Sequence, residues 1–517
     1  MRKWLPLFTV CLGTFMLLID VTIVNVALPD MATDLKTSFG SLQWVVDAYA
    51  LVLAALVLGT GSIADLVGHR RVYVAGLALF ALSSLVCGIA PNSEALIAAR
   101  SVQGLGAAAM FATTFALLNS NYVGRDRGTA YGMWGAVAGA SAAVGPIIGG
   151  LLTQGASWRW IFFVNLPVSV AAIGLCLAVL HDAHDTVRAR VDVAGIAAFS
   201  AAAASLTYGL IQANENGWSE VGSWAWIVAS PVLLAVFVAI ELRAAAPMLD
   251  LALLRNRSFV GILLAALVVT LAAFASFTYT SIWLQSVLGL SPIEAGLTGL
   301  SLASFAMSAV IGRFLHSSKP GPIIGAGLLF IGVGGLVGGL LVHGSASWPA
   351  LIPGFLLIGV GVGLATPTLS SAAMSAVPLQ RGGMAAGAVN TARQLGFALG
   401  IAALGSVFAA RAAHVLAARS VPHSGDVSRA LAGGQAKALL GQAPDVVRGP
   451  LDAALHAASV SGVQWAFLVS GVLGILAGFA VLVLVRPSAH GSAGNAAAAR
   501  PADLDDAPEL TEAPAPA

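Results

Sequence analysis

Gly61-Ser62-Ile63-Ala64-Asp65-Leu66-Val67-Gly68-His69-Arg70-Arg71 joins two apolar stretches, 43–64 and 72–90, and gathers most of the charge of this region. Each stretch has about the length, roughly 20 residues of helix, that crosses a hydrocarbon core of roughly 30 Å. Gly61 and Gly68 permit a tight turn and close helix contact. The same alternation of apolar run and short charged break recurs about fourteen times. The runs fall near 6–29, 43–64, 72–90, 95–118, 129–152, 161–180, 193–213, 223–242, 259–283, 293–315, 322–342, 350–374, 384–410 and 463–485. No run alternates apolar and polar residues as a barrel strand would. Only helices and closed barrels satisfy their backbone within lipid. The chain therefore reads as an all-α polytopic membrane protein.

Composition excludes several other classes. Apolar residues make up 58% of the chain and charged residues 9%, against roughly a quarter charged in soluble domains. A net charge of +2 without a basic, aromatic-interleaved patch argues against nucleic acid as a partner. Cys11, Cys87 and Cys176 all sit inside apolar runs, which disfavours disulfides and thiolate metal sites. His181-Asp182-Ala183-His184-Asp185 reads as a solvated loop rather than a metal site. No Gly-Lys-Ser/Thr phosphate loop is present, so direct ATP coupling is not indicated. No nucleophile has a plausible base, and the chain does not read as an enzyme. The 58 glycines suit closely packed membrane helices.

Charge placement sets the expected orientation. With the N-terminus cytoplasmic, the inner loops hold Arg70, Arg71, Arg125, Arg127, Arg243 and Arg381, and the outer loops hold little beyond Lys36 and Arg159. An even count returns the C-terminus to the cytoplasm. Met1-Arg2-Lys3 before the first run resembles the start of a secretory signal, but the run continues through Leu28 without a small-residue cleavage site. A degraded internal repeat links Arg127-Gly128-Thr129-Ala130-Tyr131-Gly132, opening the fifth run, with Arg381-Gly382-Gly383-Met384-Ala385-Ala386-Gly387, opening the thirteenth. The expected division is a six-helix bundle over 1–180, an inserted helix pair with linkers over 181–258, and a second six-helix bundle over 259–486. The alanine-rich, mixed-charge segment 411–462 is expected as a long outer loop with a helical cap. Residues 487–517, rich in Pro, Ala and acids, read as a disordered cytoplasmic tail.

The Gly61–Arg71 turn resembles the loop between helices two and three of the major facilitator superfamily, although Leu66 and His69 stand where a basic residue is usual. Asp20-Val21-Thr22-Ile23-Val24-Asn25-Val26-Ala27-Leu28-Pro29 resembles the first-helix signature of the fourteen-helix drug:proton antiporters in that superfamily. Arg100-Ser101-Val102-Gln103-Gly104-Leu105-Gly106 is similar to its fourth-helix motif. The glycines from Gly139 through Gly145-Pro146-Ile147-Ile148-Gly149-Gly150 resemble the fifth-helix antiporter motif, a mark of exporters. Ser157–Pro167 and Trp283–Pro292 resemble further segments of the same family. The resemblance covers most of the chain outside 411–462 and the tail. It implies fourteen helices as two six-helix bundles around an inserted hairpin, a prokaryotic cell membrane, and efflux by alternating access. It also implies a cytoplasmic latch of Gly61, Asp65, Gly68, Arg70, Arg71 and Arg127. There Asp65 would meet Arg70 or a helix N-terminus of the other half, and the departures at Leu66 and His69 would make the latch weaker or pH-sensitive.

The ionisable residues within the apolar runs carry the expected chemistry, because a charge at mid-membrane is costly and by default functional. Asp20, Asp47 and Arg100 are the candidates for proton coupling. Burial favours a protonated acid and a nearby cation favours the ionised one, so a carboxylate beside a movable arginine can bind and release a proton in turn. A static Asp20–Arg100 pair is the alternative, and for Asp47 a position snorkelling to the surface. Pro146, between Gly145 and Gly149-Gly150, reads as a kink or as plain tight packing, and bulk at these glycines is expected to be harmful either way. In the superfamily, the first and fourth helices of each half line the cavity. This assigns Asn25, Gln103, Met110, Phe111, Phe115, Phe274, Phe277 and Tyr279 to the substrate cavity, and Arg393 of the thirteenth run is placed with them, in contact with backbone carbonyls or substrate. Such a wall suits lipophilic or cationic drugs. The expected function is proton-coupled drug efflux, with a single-metabolite, antibiotic or lipid exporter, or a non-transporting sensor of the same fold, as alternatives. The expected partners are a small-molecule substrate, protons and membrane lipid, with a monomeric chain and accessory export proteins possible. No cofactor or metal is expected, and the proton gradient supplies the energy.

Overall fold

Polar caps and glycines set the helix ends in a chain that would otherwise stay helical throughout. The computed structural model describes residues 2–37, 39–180, 191–218, 220–244, 247–290, 307, 319–344, 346–377 and 382–485. The first run becomes α1 (Leu5–Asp34), and α2 (Phe39–Val67) follows. Gly68, at φ 109°, turns the chain directly into α3 (His69–Gly88). A side chain bearing Cβ strains in that conformation, which accounts for a glycine there. Asn92 caps α4 (Ser93–Asn121), its side chain accepting from Ala95 N at 2.9 Å. Then come α5 (Gly124–Gly155), the short α6 (Trp160–Phe163) and α7 (Asn165–Val179). Asp192 caps α8 (Val193–Asn216), which pairs with α9 (Val221–Glu241).

The later part opens with α10 (Arg257–Val269), a π turn at Thr270–Phe274, α11 (Ala275–Ile282) and a second π turn at Trp283–Val287. It continues with α12 (Pro320–Leu341), α13 (Ile352–Ser375), α14 (Gly382–Ala418), α15 (Ser424–Ala432), α16 (Ala436–Gln442) and α17 (Asp445–Leu484). The expected outer loop 411–462 is thus largely helical, and not only as a cap. Its first part extends α14 and its last part opens the 40-residue α17. The alanines that made it look like surface helix are also good formers of long continuous helices. The run 293–315 lies outside the described residues apart from Met307, as do 181–190 and the tail.

Among the described residues twelve segments are long and apolar enough to cross a membrane, which makes this a multi-pass membrane protein. α5 is not among them, yet it runs parallel to α1 over the same depth. Lys3 pairs with Asp126 at 2.8 Å, Trp134 Nε1 donates to Thr14 Oγ1 at 3.0 Å, and a Cβ at Gly145 would lie 1.8 Å from Thr22 Oγ1. Those three contacts advance in the same direction along both segments.

One hydrophobic core runs from Ile262 to Val485, and two others lie almost wholly before residue 260. Met384, Ala385, Ala386 and Ala388, from the start of α14, belong to a core of the earlier part. The two parts therefore interdigitate on the side of the Gly61–Arg71 turn. The pair α8–α9 leans on α2 and α14. Glu241 ends α9 buried, not at a solvated helix end, with Leu249 N donating to its Oε1 at 3.4 Å.

Small residues let the later helices touch. A Cβ at Gly471 of α17 would lie 2.7 Å from Leu336 N and 2.9 Å from Gly332 O of α12, both backbone atoms that cannot swing away. Gly471→Leu is therefore expected to lower the melting temperature of the purified protein by several degrees, at a cost of about 1–3 kcal/mol for overpacking. At Gly222 of α9 an added Cβ meets open space, and Gly222→Leu should melt like the parent. Equal melting curves for the two variants would contradict this packing.

Candidate functional site

Five helices converge on Asp20, which is 1% exposed. Arg100 of α4, fully buried, donates through Nη1 to Asp20 Oδ2 at 2.5 Å and to Gln103 Oε1 at 2.6 Å, and through Nε to the Val45 carbonyl at 3.0 Å. Its guanidinium lies 4.3 Å from the centroid of Tyr49 on α2. Asp20 Oδ1 accepts from Gln103 Nε2 at 3.1 Å and from Asn165 Nδ2 of α7 at 3.0 Å. Ser84 of α3 accepts from both amides, at 2.7 Å and 3.2 Å. An ion pair this dry needs such additional bonds, because neither charge retains water. Among the described residues, the buried Arg100 Nη2 and Tyr49 hydroxyl have no hydrogen-bond partner. The network therefore has spare donors for a rearranged state.

Spacing explains how the sequence builds this cluster. Arg100 and Gln103 are three residues apart and share a face of α4. Gly104, beside them, lets α2 approach so closely that a Cβ would lie 2.7 Å from the Tyr49 carbonyl. Gly145 does the same for α5 against α1, at Thr22, two residues after Asp20. Gly149 is buried, whereas a Cβ at Gly150 would meet nothing within 4 Å. The expected intolerance to bulk at Gly150 is therefore corrected: that position faces away from the contact. Pro146 lies within α5, and its side chain is outside the described residues.

The latch forms between the two parts of the chain. Asp65 Oδ2 accepts from the backbone N–H of Met384 at 2.8 Å, in the first turn of α14, where unsatisfied N–H groups and the helix dipole favour an anion. Its Oδ1 lies 3.0 Å from His69 Nε2. Arg70 donates to the Leu177 carbonyl at 2.5 Å, tying α3 to α7. Arg71 is exposed. Arg127 donates to Asn119 Oδ1 at 2.6 Å, a bond inside the earlier half rather than across the interface. Gly61 is buried on α2. Gly387 continues the seam, since a Cβ there would lie 3.1 Å from Leu58 Cα. At the opposite end of α1, Asp34 accepts from Arg159 and, at 2.9 Å, from Trp158 Nε1. The Arg159 guanidinium beside Asp34 and the Trp158 indole hold its carboxyl below the usual carboxylate range.

The expected cavity residues divide. Gln103 belongs to the Asp20 network and not to a free wall. Met110, Phe111 and Phe115 are buried, Phe115 edge-on to Trp134 with centroids 4.5 Å apart. Tyr279 is buried, stacks on Phe408 at 5.6 Å and donates to the Ile401 carbonyl at 2.7 Å. Phe274 and Phe277 are half-buried, Phe277 lying 5.8 Å from Phe355. Asp47 is half-buried on α2, two residues beyond the carbonyl that binds Arg100. The Asn25 side chain and Arg381 lie outside the described residues. Sequence reading passed over Asn165, Ser84 and Trp134. Asn165 was legible only as part of the Ser157–Pro167 segment, and nothing in the local pattern marks Ser84.

Residues 10–401 match the Major Facilitator Superfamily. The chain belongs to that superfamily. It is 36% identical to the multidrug resistance protein Stp of Mycobacterium tuberculosis (strain ATCC 25618 / H37Rv) over 78% of this chain and 76% of that protein. It is 31% identical to the tetracenomycin C resistance and export protein of Streptomyces glaucescens, over 92% of this chain and 90% of that protein. Among solved structures it shares the fold of the proton:xylose symporter XylE, with a TM-score of 0.62, 12% identity, and coverage of 94% of this chain and 96% of that one.

Two outcomes follow from this superfamily member's geometry. Asp65→Ala removes the acceptor for Met384 N–H and should raise cysteine labelling on the latch side at least severalfold, with normal membrane insertion; unchanged labelling would dispose of the latch. Gly145→Leu should abolish transport while Gly150→Leu retains most of it, and equal loss in both would contradict the close approach of α1 and α5.

Proposed function

We propose that this chain is a proton-coupled efflux transporter that exports lipophilic drugs and toxic compounds by alternating access. It is a transporter and not an enzyme, in keeping with its superfamily. The observation that carries the reading is the buried Asp20–Arg100 pair: a titratable acid and a permanent cation, fully desolvated, in a bundle closed against its partner by an Asp65 latch. Uptake of a proton by Asp20 would release Arg100 from the pair, and loss of the proton would restore it. Two relatives named for multidrug resistance and for antibiotic resistance and export support the substrate class.

The finer architecture belongs to the same proposal. A count of fourteen spans is supported by the twelve apolar helices, by α5 running parallel to α1, and by the apolar run 293–315. The separate hydrophobic cores support two six-helix bundles, and the pairing of α8 with α9 supports an inserted hairpin. Arg70, Arg71 and Arg127 on one side support cytoplasmic termini in a bacterial cell membrane. The chain works on a small-molecule substrate, as a monomer, with the proton gradient in place of a cofactor.

Asp20→Asn keeps the shape and the amide contacts but removes titration. In inside-out vesicles with an imposed proton gradient it should lose at least 90% of gradient-driven drug uptake at normal expression, a figure on the order of a tenfold effect. Asp20→Glu should keep part of the activity with a displaced pH optimum. Full gradient-driven uptake by Asp20→Asn would remove Asp20 from the coupling.

A further inference from the structure

Among the described residues Arg393 is the other buried guanidinium in an apolar run, 8% exposed about a third of the way along α14. Its situation is the reverse of that of Arg100. Among the described residues its side chain makes no hydrogen bond and no ion pair, and its one recorded contact as a cation is with Trp134 of α5, at 5.7 Å from the ring centroid. That contact spans the two halves. A buried guanidinium normally has its fork of N–H donors filled by a carboxylate or by carbonyls, because unpaired donors away from water are costly. The indole face compensates the charge but accepts none of those N–H bonds.

The surroundings hold this arginine in place without satisfying it. Thr270, in the π turn that follows α10, donates to the Arg393 carbonyl at 2.8 Å. One turn on, Gly396 brings α14 so close to α10 that a Cβ would lie 2.1 Å from the Leu267 carbonyl. Trp134 is fixed by its bond to Thr14 and by the edge of Phe115. Asn390, one turn before Arg393, donates across the halves to the Phe111 carbonyl at 3.0 Å, and its own buried Oδ1 has no hydrogen-bond partner among the described residues. The charge is single and positive, and among the described residues its donors are unused. Asp20 cannot serve as its counter-ion, since Arg100 holds it. A π turn in a membrane helix beside a functional group is a recurrent device.

We propose that Arg393 is a binding subsite for the anionic group of an exported substrate, so that the cargo range includes lipophilic organic monoanions, a carboxylate or ionised phenol on an apolar ring body. This rests on the efflux reading and narrows it. A carboxylate meets the planar fork in a bidentate, charge-assisted pair, which neither a neutral ester nor an ammonium can form. The apolar body is required because the subsite lies in an apolar run beside the Trp134 indole. Since Arg393 and Trp134 belong to opposite halves, an anion bound there replaces a contact that spans the interface. Occupancy thereby bears on the same interface that the Asp65 latch closes.

Three probes on one ring scaffold test this: 9-anthracenecarboxylate, its methyl ester, and 9-(aminomethyl)anthracene as the ammonium. Equilibrium binding to the purified full chain in nanodiscs, read by probe fluorescence anisotropy, should favour the carboxylate over the ester by about tenfold or more. Arg393→Gln should bring the carboxylate down to the level of the ester. Arg393→Lys, which keeps the charge and loses the fork, should retain a partial preference and shows that the site still folds. Equal affinities for the three probes, a preference unchanged in Arg393→Gln, or no saturable carboxylate binding would each overturn the proposal. Uptake by inside-out vesicles separates the two readings. Anion-selective binding without gradient-driven accumulation of any probe would count against export alone, whereas equal accumulation of all three would count against the anion subsite alone.

Discussion

The structure depends on one constraint: two opposite charges, Asp20 and Arg100, held without water in the middle of a membrane helix bundle. Breaking such a pair from one side leaves an uncompensated buried charge and costs about 3–5 kcal/mol. The bundle meets that cost with amides and hydroxyls drawn from four further positions. Gln103 and Asn165 donate to the carboxylate, Val45 accepts from the guanidinium, and Ser84 closes the ring of polar groups. The glycine at 104 follows from this, because α2 and α4, which carry two of those groups, have to approach almost backbone to backbone. A proton added to Asp20 weakens the pair and leaves Arg100 in need of other acceptors. The event is local, but it unsettles the contact that organises α1, α2, α4 and α7 together.

In the proposed cycle, conversion of that event into transport requires a partner on which the first bundle can move. Asp65 at the N-terminus of α14 supplies a reversible contact, formed from a backbone N–H and a side chain rather than from greasy packing. The residues just after it, Met384 to Ala388, enter the core of the first half and make the closed seam tight. His69 takes the second oxygen of Asp65, its Nε2 lying 3.0 Å from Oδ1.

Much of this was legible in the sequence because it rests on length, charge placement and residue type. The apolar runs and the Gly61–Arg71 turn fix helices and turn alike, and Asp20 and Arg100 are conspicuous as charges where none should be. The legible part stops where a contact depends on which way a helix is rotated. Gly149 and Gly150 look alike in sequence, yet only the first is buried. Met110, Phe115 and Tyr279 are aromatic or soft residues suited to a cavity wall, but rotation turns them into packed cores. Ser84 and Asn165 reach Asp20 only through the tertiary arrangement, and α14 and α17 run on through the alanine-rich, mixed-charge segment that suggested an outer loop with a helical cap.

The central claim is that Asp20 alternates between ionised and protonated forms, with Arg100 released in the second. Infrared difference spectroscopy of the purified protein, recorded between high and low pH and with and without bound drug, observes that carboxyl directly. A protonated-carboxyl stretch that appears at low pH, shifts when drug binds and vanishes in Asp20→Asn is the predicted result. A spectrum in which the Asp20 band remains that of a carboxylate under every condition that supports transport would contradict the account.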